Sequence, residues 1–302
     1  HRDLPVLINQ WANVVRWEMR TRLFLRTSEF LWQEGHTAHS TPEEAEQETL
    51  DILELYRQLA EDYLAIPVFT GLKTDSEKFA GAERTYCIEA MMGDKRALQA
   101  GTSHNLGQNF AKAFDVTFQT KDNKEEFVWA TSWGISTRLI GAVILAHGDD
   151  KGLRLPPRIA PIQLVIIPIA KNEEEEKDLK DYLEPITAAL KKLKIRVYED
   201  WTNNSPGFKF NEWEMKGVPL RMEVGPRDIK EQKVVLARRD EKGKLFIPKD
   251  DVFDNVQRFL DNIQLKLITQ AREFRDKNTH IVKGYDDFKR IISKGGFVRC
   301  GW

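Results

Sequence analysis

The chain has 302 residues, of which 41% are hydrophobic and 31% are charged, and its formal net charge is −1. This length allows two domains that each bury a core, and the balanced charge excludes a globally basic protein, so any RNA contact is expected from a local patch. The only cysteines, Cys87 and Cys300, exclude a disulfide framework, and no apolar run approaches the ~20 residues that span a bilayer. We therefore expect a soluble, cytoplasmic protein with no membrane partner.

The first half of the sequence predicts strands with interspersed helices. Residues 7–18 and 24–34 alternate apolar and polar positions, as half-buried strands do. Thr41-Pro42-Glu43-Glu44 predicts a helix start with a capping box, and an apolar stripe that includes Leu50, Tyr56 and Tyr63 continues this helix to about residue 65. Further strands are expected at 85–92, 96–100, 114–120 and 127–133, and a helix at 136–147. Mostly antiparallel strands with helices on one face indicate an α+β layer.

The pattern changes near Pro156, Pro157 and Pro161, which indicates a domain boundary. Strands are then expected at 163–169, 195–199, 219–224 and 233–238, and helices at 173–193, 207–216 and 250–276. This alternation predicts a compact α/β domain with a mixed sheet. The expected fold class is thus α+β, with domains at 1–157 and 158–278 and a third beginning within 279–302.

The densest cluster of charged and aromatic residues lies near the N-terminus. Arg16-Trp17-Glu18 is followed by a turn-rich loop that ends at Arg26, and then by Phe30 and Trp32. Charge of this density suits a site for a small, highly charged ligand, because buried charges need partners and one guanidinium group can donate to two phosphate oxygens at once. The pattern resembles motif 2 of class II aminoacyl-tRNA synthetases. The string from Phe24 to His39 is similar to the prolyl-tRNA synthetase family, in its archaeal and eukaryotic type.

The resemblance implies that proline is activated with ATP to prolyl-adenylate and transferred to tRNA(Pro). By this resemblance Arg16 would bind the α-phosphate of ATP and Arg26 its β/γ end. Phe30 would stack on adenine with Glu18 beside it, and Gln99 and Thr102 would lie between nucleotide and amino acid. Arg138 would be a further nucleotide residue, in a segment from Gly134 to Gly141 that resembles motif 3. Arg16 and Arg138 would be the catalytic pair, and Mg²⁺ would arrive with ATP. Taken singly, Arg-x-Glu is typical of a surface ion pair, Phe30 of a core residue and Arg138 of a solvated helix face.

A proline pocket calls for a small apolar box with a few polar groups. By resemblance Trp32, Phe79 and Trp133 wall this box, His104 closes it, and Glu34 and His36 stand behind it. Outside the family context the two tryptophans would be ordinary core and His104 a core or capping histidine. Glu34 and His36 would then bond to one another.

The second domain resembles the class II anticodon-binding domain along Asn211 to Asp228. Proline anticodons share two guanines, and arginine and glutamate side chains match the edges of guanine. By resemblance Glu214, Arg221 and Arg227 are the readers; the alternative is that all three are solvated surface charges.

The resemblance also carries expectations about the ends of the chain and its assembly. The family's motif 1, which forms a homodimer interface, and its Thr-x-Glu loop would precede His1. A zinc-binding domain would begin near Cys300, and with no further cysteine we expect no zinc here. The rival hypotheses are a non-catalytic synthetase-like module that binds RNA or a partner, and a related synthetase for threonine. The threonine enzyme is disfavoured because its site recruits zinc through Cys and His.

Overall fold

The computed structural model describes residues 1–301; Trp302, the last residue of the segment expected to begin a third domain, lies outside the described residues. The described chain separates into two compact units. Unit 1 comprises residues 1–62, 66–146 and the chain from Arg272 onward, and unit 2 comprises residues 63–65 and 147–271. Each unit is built on its own main sheet.

Unit 1 contains an antiparallel sheet, as the sequence predicted. In chain order its first eight strands are β1 (Val6–Val15), β2 (Glu29–His39), β3 (Val68–Leu72), β4 (Arg84–Met91), β5 (Ala97–Gly107), β6 (Thr117–Gln119), β7 (Glu125–Phe127) and β8 (Trp129–Ser136). Six of them form one sheet in the order β1-β2-β8-β5-β4-β3, and β6 pairs with β7. Its helices are α1 (Pro42–Gln58), α2 (Asn109–Phe114) and α3 (Arg138–His147).

Helix α1 begins as the sequence predicted. The Oγ1 atom of Thr41 accepts the Glu44 amide at 3.2 Å, and Pro42 follows the cap. The Glu44 carboxylate accepts the Ser40 amide at 3.0 Å, so the return bond of the capping box reaches one residue further back than predicted. After Gln58 the chain passes into a π-helical turn, Leu59–Tyr63.

The apolar stripe of α1 agrees with most of the predicted one. Leu53, Tyr56, Ala60 and Leu64 are buried, as predicted, whereas Leu50 is 38% exposed and Tyr63 is 51% exposed. Ala45 and Thr49 extend the buried face toward the start of the helix at three- and four-residue spacing. The Tyr56 hydroxyl donates to Gln33 Oε1 of β2 at 2.8 Å, so α1 covers the sheet face that carries Gln33. Because strand residues alternate between faces, the neighbours Trp32 and Glu34 lie on the other face.

The segment between β1 and β2 is longer than predicted. The sequence predicted strands up to residue 18 and from residue 24, whereas β1 ends at Val15 and β2 begins at Glu29. The loop is closed by the Arg16 amide bonding to the Ser28 carbonyl and by an isolated bridge between Arg22 and Arg26. Arg16, Glu18 and Arg26 therefore belong to a loop at the end of the two strands and not to the strands themselves.

Unit 2 has a mixed sheet, which confirms the predicted α/β pattern. Its strands are β9 (Leu164–Pro168), β10 (Val197–Glu199), β11 (Leu220–Val224), β12 (Lys233–Arg238) and β13 (Leu245–Pro248), in the order β10-β9-β11-β12-β13. The interior strand β9 is parallel to both of its neighbours, β10 and β11, and β12 is antiparallel to both of its own, β11 and β13. The helices after α3 are α4 (Glu173–Lys192), α5 (Pro206–Met215), α6 (Pro226–Lys230) and α7 (Val252–Lys277), with a 3₁₀ turn, Lys249–Asp251, before α7.

Strand β9 of unit 2 is buried on both faces. Leu164 and Ile166 belong to a large cluster with α4 and α7, while Val165 and Ile167 pack with Trp213 of α5 on the opposite face. Two-sided burial explains why this strand reads as an unbroken apolar run instead of an alternating one.

The last described elements return to unit 1. They are β14 (Thr279–Ile281), α8 (Tyr285–Ile292) and β15 (Phe297–Arg299), with β14 parallel to β15. The Phe297 ring lies 5.5 Å from that of Phe69 in β3, and the Arg275 guanidinium lies 4.5 Å from the Phe69 ring. Within residues 1–301 no helix is long and apolar enough to cross a membrane.

Candidate active site and a second, basic cavity

The sheet face opposite α1 forms the floor of a cavity of about 470 Å³ in unit 1. Its side chains follow from strand register: Glu34 of β2 is paired with Gly134 of β8, which is paired with Thr102 of β5. Two residues further along each strand, on the same face of the sheet, Ser132 of β8 is paired with His104 of β5. Ten of the residues predicted from the sequence line this cavity: Arg16, Phe30, Trp32, Glu34, Phe79, Gln99, Thr102, His104, Trp133 and Arg138.

Arg16 lies at the mouth of the site beside two aromatic rings. Its guanidinium carbon is 5.3 Å from the Phe30 ring centroid and 5.5 Å from that of Trp32, and these two rings meet edge to face at 5.9 Å. Both contacts are within the range of cation–π attraction. The rings thereby support the charged end of Arg16 while leaving its N–H groups for another acceptor.

Arg138 is held from beneath by main-chain carbonyls. Its Nε donates to the Leu25 carbonyl at 3.1 Å and its Nη1 to the Gln99 carbonyl at 3.4 Å. Burial lowers the pKa of Arg138 from its usual value, and the nearby cations Arg26 and Arg16 lower it further. Neither Arg16 nor Arg138 forms a salt bridge within the described chain. Three neighbouring cations, two of them without a carboxylate partner, suit a ligand with several negative charges.

Three predicted residues lie beside the cavity without lining it. Glu18 and Arg26 pair with each other at 3.7 Å, and the Arg26 side chain is 62% exposed. His36 pairs with Glu34 at 3.4 Å, as the alternative reading of these two residues predicted. Glu34 also accepts from the Gln10 amide at 2.8 Å. The Glu34 carboxylate, which lines the cavity, is thus held from two sides.

His104 is held in a neutral form by its surroundings. Its Nδ1 lies 2.9 Å from the Thr85 hydroxyl, whose oxygen also accepts the Phe79 amide at 3.1 Å. The Phe79 ring lies 5.1 Å from the His104 ring. Burial, followed by the nearby Lys73 ammonium, lowers the pKa of His104 to about 4. The imidazole is therefore uncharged near neutral pH, and Thr85 fixes both it and the Phe79 backbone.

The position of Trp133 in the cavity lining is set by strand register. It contributes to the cavity lining, but it is paired with Gly35, so its side chain lies on the face that α1 covers. A Cβ atom at Gly35 would lie only 2.1 Å from the Trp133 ring. The ring therefore lies directly over Gly35 beneath the floor. The apolar walls above the floor are Trp32 and Phe79.

Sequence reasoning missed several residues of the cavity. They are Lys73, Glu77, Thr85, Ser132 and Ser136. Ser132 and Ser136 had a usable signal, because they alternate with Gly134 along β8. Lys73 and Glu77 lie in the loop after β3, a strand that the sequence did not predict. Among the described residues no group of three or more His, Cys, Asp or Glu side chains is arranged to hold a metal ion.

Unit 2 contains a second cavity, of about 350 Å³, lined by predicted readers Glu214 and Arg221. Arg221 Nε donates to Glu223 Oε1 at 3.0 Å, and its guanidinium lies 4.3 Å from the Phe210 ring. Glu223 also binds Lys244. The basic residues around the cavity outnumber the acidic ones: Lys151, Arg221, Arg238, Arg239, Lys242 and Lys244 against Glu214 and Glu241. This balance favours an anionic ligand with polar edges.

The third predicted reader, Arg227, does not line this cavity. It lies in α6 with its side chain 87% exposed and bonds to Glu231 one turn later at 2.9 Å. The structure therefore brings Glu214 and Arg221 together and leaves Arg227 outside the cavity.

Comparison with known proteins gives a consistent result. Residues 1–147 match the family model described as tRNA synthetase class II core domain (G, H, P, S and T), and residues 163–259 match that of the anticodon binding domain. The whole chain is 52% identical to a proline--tRNA ligase of Natranaerobius thermophilus and 57% identical to one of Chlorobium phaeobacteroides, covering 62% and 63% of their lengths. The chain thus spans somewhat less than two thirds of these curated relatives.

Comparison with solved structures agrees with these sequence matches. A crystal structure of prolyl-tRNA synthetase from Cryptosporidium parvum, complexed with L-proline and AMP, matches with a TM-score of 0.94 at 44% identity. The match covers 100% of this chain and 65% of that one.

Proposed function

We propose that the chain is part of a prolyl-tRNA synthetase of the archaeal and eukaryotic type, since residues 1–147 match a class II core domain and residues 163–259 match an anticodon-binding domain. It would activate proline with ATP to prolyl-adenylate and transfer the prolyl group to tRNA(Pro). The observation that carries the proposal is the set of arginines around a cavity whose walls include Trp32 and Phe79. The string Phe24 to His39 supports the type, and the domains would run from 1 to 157, from 158 to 278 and from 279 onward.

The proposed chemistry needs charge stabilisation and positioning, and no side-chain nucleophile. The proline carboxylate attacks the α-phosphate in line and pyrophosphate leaves, while Arg16 and Arg138 neutralise charge on the phosphorus oxygens. Arg138 is suited to this because two carbonyls fix its orientation before a ligand binds. Gln99 and Thr102 would lie between nucleotide and amino acid, with Phe30 and Glu18 on the adenine side and Arg26 at the β/γ end.

The amino-acid end of the cavity suits a small, uncharged ring. Trp32 and Phe79 supply apolar walls, and neutral His104 closes the space without adding charge. Glu34, held by His36 and Gln10, stands behind it as a fixed carboxylate. Trp133 would support the floor from below.

Mg²⁺ would enter with ATP. Magnesium keeps several waters and is commonly held by substrate phosphates together with one or two carboxylates. It would supply charge neutralisation at the β- and γ-phosphates.

The proposed macromolecular partners are tRNA(Pro) and a second copy of the protein. Glu214 and Arg221 would read the two guanines of the anticodon from the basic cavity of unit 2, and Arg227 would act outside it. The homodimer is supported by β1, an edge strand that exposes large apolar side chains: Leu7, Ile8, Trp11 and Val15.

The activity is tested by ATP–pyrophosphate exchange on this chain, after a cooperative melt has shown that it is folded. We expect exchange with proline and not with threonine. Exchange with threonine at or above the proline rate would contradict the choice of amino acid. No exchange with any amino acid from a folded chain would contradict catalysis by this part of the protein and favour the non-catalytic module.

A further inference from the structure

The carboxylate of Glu214 is not free in the basic cavity. Its Oε1 accepts from Lys151 Nζ at 2.7 Å, with the Lys151 side chain 60% exposed and that of Glu214 30% exposed. Glu214 lies in the last turn of α5, and its main-chain carbonyl accepts from Arg239 Nε at 2.9 Å. Both ends of the residue are therefore fixed by cations that line the same cavity.

The segment that carries Lys151 is itself fastened to the end of α5. Asp149 receives two bonds from the Arg239 guanidinium, one of them 2.9 Å between Nη1 and Oδ2, and Arg239 is nearly buried. The hydrogen bonds from Arg239 hold the pKa of Asp149 below its usual value. Arg239 thus joins the Asp149 side chain to the Glu214 backbone.

Gly152 allows the segment that carries Lys151 to approach the end of α5 closely. Its φ of +125° lies in the region that favours glycine, and a Cβ there would be 2.4 Å from the Met215 carbonyl oxygen. The next amide, of Leu153, donates to that carbonyl at 2.9 Å. The backbone on either side of Lys151 is therefore set by the helix end that presents Glu214.

Glu214 lines the cavity, and its carboxylate has hydrogen-bonding capacity that the protein does not use. Oε2 has no hydrogen-bond partner among the described residues, and Oε1 has a second acceptor site beyond the one that Lys151 uses. The Watson–Crick edge of guanine offers two adjacent N–H donors, which a carboxylate accepts with its two oxygens. Lys151 can thus remain in place while guanine binds.

We propose that Lys151 is a positioning residue for guanine discrimination: it fixes the Glu214 carboxylate in the orientation that accepts the N1 and N2 donors of guanine. This inference rests on the proposed role of Glu214 as an anticodon reader. It differs from a phosphate contact, because a phosphate contact strengthens binding to every sequence equally, whereas an oriented carboxylate strengthens binding to guanine alone.

The experiment compares two stem-loop RNAs in equilibrium binding to the full chain. One loop carries the two guanines shared by proline anticodons, and the other carries inosine in their place, which lacks only the 2-amino donor. The ratio of the two Kd values measures discrimination. The variants are Lys151→Gln, Lys151→Arg as the conservative replacement, and Lys180→Gln as control. Lys180 is 56% exposed and pairs with Glu176 at 2.6 Å on α4, outside the cavity.

We expect the unaltered chain to prefer the guanine loop by roughly tenfold, since a hydrogen bond to a charged group has about this effect. Lys151→Gln should reduce the preference to about threefold or less, while Lys151→Arg and Lys180→Gln retain it. If Lys151→Gln weakens both loops equally and leaves the ratio intact, Lys151 is a phosphate contact and the inference is wrong. If the unaltered chain itself shows no preference, the assignment of Glu214 as a reader fails, and the inference fails with it.

Discussion

Gly35 provides the sharpest structural test of the candidate site's floor. It is buried in β2 opposite Trp133 of β8, and a Cβ atom there would lie 2.1, 2.3 and 2.3 Å from three atoms of the Trp133 ring. Ordinary van der Waals contact begins near 3.4 Å, so Gly35→Ala forces the ring or the strand pair apart by about 1.3 Å. If the strand pair separates, Ser132 and Gly134 move with it, because they flank Trp133 in β8 and line the cavity.

The expected cost follows from that displacement. Overpacking of a well-ordered interior costs about 1–3 kcal/mol, which corresponds to a fall in melting temperature of roughly 2–12 °C for a unit of this size. A shift of about 1 Å in groups that position a substrate lowers the reaction rate by up to ~100-fold. We therefore expect Gly35→Ala to melt earlier and to bind a non-hydrolysable prolyl-adenylate analogue at least ~10-fold more weakly.

The matched control is Gly71→Ala in β3 of the same sheet. A Cβ at Gly71 meets nothing within 4 Å, so this variant makes the same chemical change without the clash. Melting is followed by circular dichroism and analogue binding by calorimetry. The reasoning is refuted if Gly35→Ala melts and binds as Gly71→Ala does.

Three further predictions concern other parts of the chain. Arg138→Lys keeps the charge but loses the fork held by two carbonyls, so adenylate-analogue binding should weaken roughly 10- to 100-fold with little change in melting; unaltered binding would exclude a positioned guanidinium. Thr41→Ala removes the cap of α1 and should destabilise the folded state by about 1 kcal/mol, whereas Thr41→Ser should not; equal melting of the two would show that the cap contributes nothing. Burial lowers the pKa of His147 from 6.5 to about 4, so the unfolded chain binds more protons between these values. The free energy of unfolding should then fall below pH 6.5, at up to roughly 1.4 kcal/mol per pH unit for this histidine, and level off below pH 4. Denaturant melts of His147→Gln should show a shallower acid slope, and an identical slope would contradict the assignment.

Local signals predicted much of the fold. The cap at Thr41 marked the start of α1, and the alternation of apolar and polar positions over residues 24–34 marked β2 as a strand. The mixed sheet of unit 2 was predicted because strands and helices alternate along residues 163–276. These features depend on residues within one or two turns of each other.

What the sequence did not reveal depends on pairing between distant residues. The face on which Trp133 lies is decided by its register with Gly35, about a hundred residues earlier in the chain. Alternation along β8 alone does not say which face α1 covers. The contact of Lys151 with Glu214 likewise joins two segments that no local periodicity connects.

The central claim is tested most directly by titrating the chain with the sulfamoyl analogues of prolyl-adenylate and threonyl-adenylate. The account predicts tight binding of the prolyl analogue, threonyl binding at least ~100-fold weaker, and prolyl binding weakened roughly 10- to 100-fold in Arg138→Lys. Equal affinity for the two analogues, or prolyl binding that does not respond to Arg138, would contradict the assignment of this cavity as a proline and ATP site.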